Sequence, residues 1–190
     1  MLRLILFTRI SDTRYVGITT FTPQFKNDAY PQTVDVTWEP TAFENFDGFE
    51  VEGDWSFALS LDRIKGDTQL VNETIQHKDV NFTLQSVEFT DVSTVIAYQQ
   101  VISDELLEQW ASVTPVFGIS DDLGHIYMDD TGGGGVSHDN GKTFNGTTAF
   151  GAIQDGARQL IIQPVEIASL LEGKEHIEIE INPIVIDLKK

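Results

Sequence analysis

A strictly alternating run over residues 53–62 constrains the fold of this chain more than any other sequence feature. Its apolar residues stand at every second position, at Trp55, Phe57, Leu59 and Leu61. Successive side chains of a strand point to opposite faces, so this period of two predicts a strand with one buried face. Segments 82–89 and 94–98 are rich in β-branched and aromatic residues, and Thr90-Asp91 between them suits a tight reversal. The chain is therefore expected to be an antiparallel all-β protein.

Length and composition bound the number of domains. The chain has 190 residues, 41% of them hydrophobic, which is enough for one sizeable core or two small ones. The polar stretch 63–67 contains Gly66 and is the best candidate for a boundary. Short strands separated by turn residues are typical of an immunoglobulin-like antiparallel β-sandwich. We expect an N-terminal β region over residues 1–66 and such a sandwich over residues 67–190.

Helical signals are confined to two short segments. One helix is predicted near residues 104–111, because Ser103 can cap it, acidic residues follow in its first turn and its apolar residues share one face. A single helical turn is also predicted from Ile167 to Leu171, closed by Gly173.

The charge of the chain excludes whole classes of partner. Lys and Arg total 12 against 30 Asp and Glu, which gives a formal net charge of -18 at pH 7. Such a chain has no basic surface that could replace the counterions on a phosphate backbone, so nucleic acid is excluded as a partner. No apolar run approaches the roughly 20 residues of a membrane helix. Contact with a membrane is expected only through an anchor outside this chain.

Acidic residues in the loops 121–139 raise the question of a metal site. Four of them could offer oxygen ligands to calcium, namely Asp121, Asp122, Asp129 and Asp130. EF-hand spacing is absent, however, and Gly124 marks a turn, where aspartate is common for its own reasons. His125 and His138 do not have the spacing of zinc ligands. We assign no metal-binding residue, and the sequence leaves calcium binding by these loops open.

Residues 137–144 match the Asp-box pattern found in sialidases and other β-propellers. The pattern is Ser137-x-Asp139-x-Gly141-x-Thr143-Phe144. Its physical content is turn chemistry, since Asp139 can accept bonds from nearby backbone donors and Asn140-Gly141 can supply positive φ at a two-residue loop. A propeller needs repeated blades, and this box occurs once. We therefore predict an ordinary hairpin.

No arrangement of catalytic residues is apparent. The chain has no cysteine, which excludes disulfides and thiolate chemistry, and it has no Gly-x-Ser-x-Gly motif. The glycines at 132–135 lack the Lys-Ser or Lys-Thr pair of a phosphate-binding loop, so a mobile loop is predicted there. We assign no catalytic or cofactor-binding residue and no cofactor, and we expect a protein that is not an enzyme.

Four stretches carry a resemblance to a known kind of protein. They are Gly-Asp-Trp-x-Phe-x-Leu-x-Leu-Asp at 53–62, Asp-x-Ser-Thr-x-Ile-x-Tyr at 91–98, Ser-Asp-Asp-Leu-Gly-His-Ile-Tyr at 120–127 and Leu-Ile-Ile-Gln-Pro at 160–164. Together they resemble the extracytoplasmic β region of Bacillus-type membrane-anchored proteins of unknown function, which resemble anti-sigma factors. In those proteins a cytoplasmic segment and one membrane helix precede the β domains, and neither is present in this chain. The resemblance implies no catalytic residues.

Two functions from different classes follow as expectations. The first is a non-catalytic, extracytoplasmic sensory or interaction module of a membrane-anchored regulator, whose protein partner or envelope signal the sequence does not identify. The second is a carbohydrate-binding module or glycosidase-associated β domain, suggested by the Asp-box and by the aromatic residues. Because Trp55 and Trp110 fit core positions by periodicity, Trp38 is the candidate for a sugar platform. An exposed Trp38 flanked by other aromatic rings would favour the second function.

Overall fold

The fold is described from a computed structural model, which describes residues 2–11, 13–21, 31–44, 50–127, 134–170 and 176–189. The chain divides into two compact units, Met1–Lys65 and Gly66–Lys190. Each unit is built from antiparallel strands, and the described residues include one short helix, so the predicted all-β class is confirmed.

The first unit consists of three two-stranded antiparallel pairs within its described residues. Its strands are β1 (Leu2–Ser11), β2 (Arg14–Phe21), β3 (Thr33–Trp38), β4 (Ala42–Glu44), β5 (Glu50–Glu52) and β6 (Phe57–Asp62). Strand β1 pairs with β2, β3 pairs with β6, and β4 pairs with β5.

The alternating run at 53–62 does form a strand, but the prediction of a buried face is wrong. Strand β6 begins at Phe57, and all six of its residues are exposed, including Leu59 at 55%. Its apolar residues lie beside Val34 and Val36 on the same face of the β3–β6 ribbon. Among the described strands β6 pairs with β3 alone, and a two-stranded ribbon has no second layer that would bury its apolar face.

The second unit contains ten strands and helix α1 in its described residues. They are β7 (Asp67–His77), β8 (Val80–Phe89), β9 (Ser93–Ile102), α1 (Asp104–Gln109), β10 (Ser112–Asp121), β11 (Ile126–Tyr127), β12 (Gly134–Ser137), β13 (Thr143–Gly151), β14 (Gln159–Ser169), β15 (His176–Glu180) and β16 (Ile184–Asp187). One sheet has the order β12-β13-β9-β8-β7. The other has the order β11-β10-β14-β15, and β16 also pairs with β14.

This strand order supports the predicted immunoglobulin-like sandwich. Taken in chain order, β8 to β15 match the strands A, B, C, C′, D, E, F and G of that architecture. The sheet β12-β13-β9-β8 then corresponds to D-E-B-A, and β11-β10-β14-β15 corresponds to C′-C-F-G. Strand β7 extends the first sheet by one strand beyond A.

The core of the second unit lies between its two sheets. The ring of Phe117 in β10 lies with its centroid 5.8 Å from that of Phe82 in β8 and 5.0 Å from that of Tyr98 in β9. Strands β9 and β14 bury every second residue, and β8 does so up to Leu84, where its register shifts before the buried Val87, so the inner faces of these strands supply most of the core. The fully buried large apolar residues are Phe82, Phe150, Leu84, Ile96, Ile119, Leu160, Ile162, Ile181, Ile184 and Val80.

Helix α1 forms as predicted, whereas the second helical turn does not. Ser103 Oγ accepts a hydrogen bond from the backbone N–H of Leu106 at 3.1 Å, which caps the helix, and Leu106 is buried. Residues 167–169 instead continue strand β14, because β10 and β15 pair with them on both sides. Leu171 and Gly173 lie outside the described residues. None of the helical segments in the described ranges has the length and apolarity of a membrane span.

Candidate functional site

The acidic turn after β10 is built around one buried carboxylate. Asp121 is only 3% exposed, and its Oδ2 accepts a hydrogen bond from Tyr127 Oη at 2.6 Å and lies 2.9 Å from His125 Nδ1. Its Oδ1 accepts bonds from the backbone N–H groups of Leu123 and His125, both at 3.0 Å. Burial alone would raise the pKa of Asp121, but the hydrogen bonds from Tyr127, from His125 and from the backbone outweigh it and hold the pKa far below its usual range. The carboxylate therefore locks the β10–β11 turn.

The neighbouring Asp122 accepts hydrogen bonds from a different segment of the chain. Its Oδ1 accepts bonds from the backbone N–H groups of Arg158 at 2.8 Å and Gln159 at 3.1 Å, and these bonds lower its pKa. Asp129 and Asp130 lie outside the described residues. In the part of the chain that is described, no three His, Asp or Glu side chains are grouped so that they could hold a metal ion.

Residues 137–144 form the predicted hairpin turn between β12 and β13. Asp139 Oδ1 accepts a bond from the backbone N–H of Thr143 at 2.7 Å, and this bond is the main cause of its lowered pKa. Ser137 Oγ accepts a bond from the backbone N–H of Gly141 at 2.9 Å. Asn140 and Gly141 have φ angles of 55° and 92°, so the expected positive φ is confirmed at both. The expected two-residue loop is wrong, because the connection between β12 and β13 spans residues 138–142.

Two further sequence features, His138 and the glycines at 132–135, lie in or beside this hairpin. His138 is exposed in the turn, and the structure does not bring it to His125 in a shared group of ligands among the described residues. The prediction of a glycine loop at 132–135 is wrong for Gly134 and Gly135, which begin β12 and pair with β13. Gly135 packs so closely on the ring of Phe144 that a Cβ there would lie 2.3 Å from it. Gly132 and Gly133 lie outside the described residues.

Aromatic rings cluster in the first unit. Trp38 stacks on Phe57 with 5.2 Å between ring centroids and meets Phe43 edge-on at 5.8 Å, while Phe43 lies 4.6 Å from Trp55. Trp38 and Trp55 are both half-buried, and the Trp55 ring lies against Gly53. Trp38 is thus flanked by aromatic rings, as a sugar platform would be, but its stacking on Phe57 gives it a packing role within the unit.

A cleft of about 970 Å³ opens along one side of the sandwich in the second unit. It lies where helix α1, the β7–β8 turn and strand β15 meet. Its apolar lining includes Leu106, Trp110, Ile179 and Ile181, and all four belong to or pack against the core. The β7–β8 turn is fixed to the start of the helix because the backbone N–H of Ser103 donates to Asp79 O at 2.8 Å.

Strand β15 borders this cleft with an alternating pattern. Ile177 and Ile179 lie opposite the inward-facing residues Ala168 and Glu166 of β14, so they share the core-facing side. Glu178 and Glu180 lie opposite outward-facing residues of β14 and share the outer face. Strand β15 pairs with β14 along one edge, and no strand in the described ranges pairs with its other edge.

Glu166 is the unexpected polar residue of the interior. It is fully buried in the middle of β14, and neither carboxyl oxygen has a hydrogen-bond partner among the described residues. Burial raises its pKa to about 8. The residue escaped notice in the sequence, although the alternation along β14 places it on the same face as Leu160, Ile162 and Ala168.

Comparisons with known proteins give a family and a fold. Residues 66–188 match a family of unknown function, DUF5643, which agrees with the expected domain family of unknown function. A solved structure described as the conserved domain protein from Bacillus anthracis is similar to the chain, with a TM-score of 0.71 and 22% identity. The match covers 98% of this chain and 71% of that one. No curated protein matches the chain.

Proposed function

The chain belongs to the DUF5643 family, and we propose that this member is a non-catalytic module for protein interaction. It would act on the extracytoplasmic side as the sensory or interacting part of a membrane-anchored regulator that resembles anti-sigma factors. The observation that carries the proposal is the outer edge of β15, which pairs with no other strand in the described ranges and borders a cleft lined by both apolar and polar residues. Edge strands and end loops of antiparallel sandwiches offer contacts to other proteins without chemistry.

The state of the acidic residues supports a role without catalysis. A general acid or base needs an accessible group whose pKa is matched to its task. Asp121, Asp122 and Asp139 instead accept hydrogen bonds inside turns, and their pKa values are lowered. Glu166 has a raised pKa, but it is fully buried in the core and does not line the cleft.

The extracytoplasmic regulator is supported by the sequence resemblance at 53–62, 91–98, 120–127 and 160–164. The absence of cysteine is compatible with an oxidising or a reducing environment, since no disulfide or thiol is needed. In the proposed arrangement an anchor outside this chain holds the module at the membrane, and information passes through protein contact.

The second candidate function is carbohydrate binding, and one observation favours it. Trp38 has the aromatic neighbours Phe43 and Phe57 that a sugar platform would have. Sugars stack on exposed aromatic faces, whereas the rings here also pack on one another, which favours the interaction module.

Thermal melting separates the two candidates. A ligand that binds only the native state raises the melting temperature by mass action. We expect the chain to melt at nearly the same temperature in calcium at about 1 mM as in chelator, and with or without a soluble oligosaccharide such as chitohexaose. A saturable rise with the oligosaccharide that is lost in Trp38→Ala would support carbohydrate binding instead, and a rise with calcium would place a metal site in the loops 121–139.

A further inference from the structure

We infer that the free edge of β15 binds an extended segment of a partner protein in which apolar residues alternate with lysine or arginine. The segment would add a strand to the β11-β10-β14-β15 sheet. The inference rests on the proposed function, since it names the site and the chemistry of the partner for an interaction module.

The backbone of β15 provides the template. A strand with one unpaired edge can form a second ladder of N–H and C=O hydrogen bonds with an added chain. In the described residues β15 pairs with β14 over Val165 to Ser169 and has no strand on the other side. After the interruption around Pro183, strand β16 pairs with the other part of the same edge of β14, over Gln159 to Ile162. The free stretch is therefore about five residues long, over His176–Glu180.

The cleft accepts the inward side chains of the added strand. An extended segment alternates its side chains, so every second residue would point to the core-facing side, where Ile177 and Ile179 lie. Ile177 is 42% exposed although it faces that side, and the buried Leu106 and half-buried Trp110 lie beyond it in the cleft. Apolar side chains in these positions would remove exposed apolar surface from water.

Charge selects the outward side chains. Glu178 and Glu180 stand on the outer face of β15, and opposite charges directly across a pair of strands are favourable. The cleft is lined by Lys78 and Asp79 on the side of the β7–β8 turn and by Glu178 and Glu180 on the side of β15, where the two glutamates belong to the outer face of the strand. Cations are thus favoured on the outer face and apolar groups on the inner face, which gives the alternation.

A second copy of the chain fits this edge poorly. Pairing β15 with another β15 would bring the carboxylates of Glu178 and Glu180 close to their own counterparts, and like charges across strands are destabilising. The net charge of -18 opposes such self-association further. Charged residues alone would protect an edge strand against aggregation, but protection does not require the exposed Ile177 or the apolar side chains in the lining of the cleft.

Isothermal titration of the whole chain with synthetic peptides tests the inference. The probe is a capped heptapeptide of alternating lysine and isoleucine, and the control peptide replaces each lysine with glutamate. We expect saturable binding of the lysine peptide, at least about tenfold weaker binding of the glutamate peptide, and a similar loss in the double variant Glu178→Lys/Glu180→Lys. The matched control Glu73→Lys/Asp155→Lys makes the same change of charge at exposed residues away from the cleft, and it should keep most of the affinity.

A second variant removes the apolar contact without a change of charge. Ile177→Ser should also weaken the lysine peptide, and its melting temperature shows whether it still folds. The inference is wrong if the lysine peptide does not bind. It is also wrong if both double variants lose affinity equally, since the attraction would then come from the net charge of the whole chain and not from a site on β15. Failure of peptide binding with no melting shift from calcium or oligosaccharide leaves the proposed function standing and removes only this site. A melting shift with the oligosaccharide would remove the proposed function itself.

Discussion

Glu166→Gln is expected to stabilise the protein increasingly as the pH rises from about 4.5 to 8, because it removes the pH dependence expected from the ionisation of Glu166 in the natural chain. The physical cause is the buried carboxyl group, whose oxygens have no partner among the described residues and whose pKa is raised to about 8 from an ordinary 4.5. Each pKa unit corresponds to about 1.4 kcal/mol, so the effect is on the order of 3–5 kcal/mol.

The sign of this effect follows from proton binding. Between these two pKa values the unfolded chain releases the proton of Glu166 while the folded chain keeps it, so unfolding becomes easier as the pH rises. Below about pH 4.5 both states are protonated and the group contributes no pH dependence. Glutamine keeps the shape of the side chain and cannot ionise, so the variant should differ little from the natural chain at pH 4 and most at pH 8 to 9.

Urea unfolding at several pH values measures this difference. The matched control is Glu178→Gln, which removes a carboxylate from the exposed face of the adjacent strand but leaves Glu166 in place, so the pH dependence between about pH 4.5 and 8 should persist. Equal pH profiles for the natural chain and Glu166→Gln would show that Glu166 is solvated or paired in the folded protein.

Asp121→Ala is expected to give the largest loss of stability among the loop aspartates. The substitution removes the acceptor for two backbone N–H groups and for the Tyr127 hydroxyl, and it leaves those donors without their partner. The Tyr127 hydroxyl is buried and the two N–H groups are part-buried, and a donor that is shielded from water without a partner is costly. At pH 7 we expect a fall in melting temperature of roughly 5–10 °C.

Acid should weaken the same turn in the natural chain. The pKa of Asp121 is lowered in the fold, so its contribution is present above the ordinary value of 3.8 and is lost as the pH falls through the folded value. The variant should therefore lose less stability on acidification than the natural chain does.

Hydrogen exchange measures which backbone N–H groups lose protection in Asp121→Ala. The backbone N–H groups of Leu123 and His125 should lose protection first, because Asp121 accepts their bonds. The control Asp155→Ala changes an exposed turn residue and should melt close to the natural chain. If both variants melt alike, Asp121 does not hold the β10–β11 turn.

Sequence periodicity predicted burial best for strands that have a pairing partner on both edges and a second sheet packed on one face. The alternation in β8, β9 and β14 matches alternating burial because the two sheets enclose those inner faces. The same alternation misled at β6, since a period of two shows which side chains share a face but not whether another layer covers it. At Ile167 the local sequence favours a helical turn, but pairing with β10 and β15 holds the residue in strand β14. These two strands lie outside the local sequence pattern, so the pattern could not reveal the pairing.

The candidate site was less predictable than the fold. Turn residues give a strong local signal, so the hairpin around Asn140 and Gly141 could be predicted. The cleft could not, because its lining comes from Gln163 and from segments 77–79, 106–110 and 177–183, which lie far apart in the chain. Their proximity depends on the pairing of whole sheets.

Crosslinking on intact cells tests most directly whether the module meets a protein partner through β15 outside the membrane. The natural chain has no cysteine, so Ile177→Cys in the full-length protein carries a single thiol in this region at the edge facing the cleft. The reagent is a membrane-impermeant maleimide that carries a photoreactive group, and the control is Leu70→Cys on β7, where the natural side chain is 72% exposed. We predict that both variants react on intact cells and that only Ile177→Cys yields a covalent adduct with another protein on illumination. Reaction only after lysis, or equal adducts from both positions, would contradict the proposal.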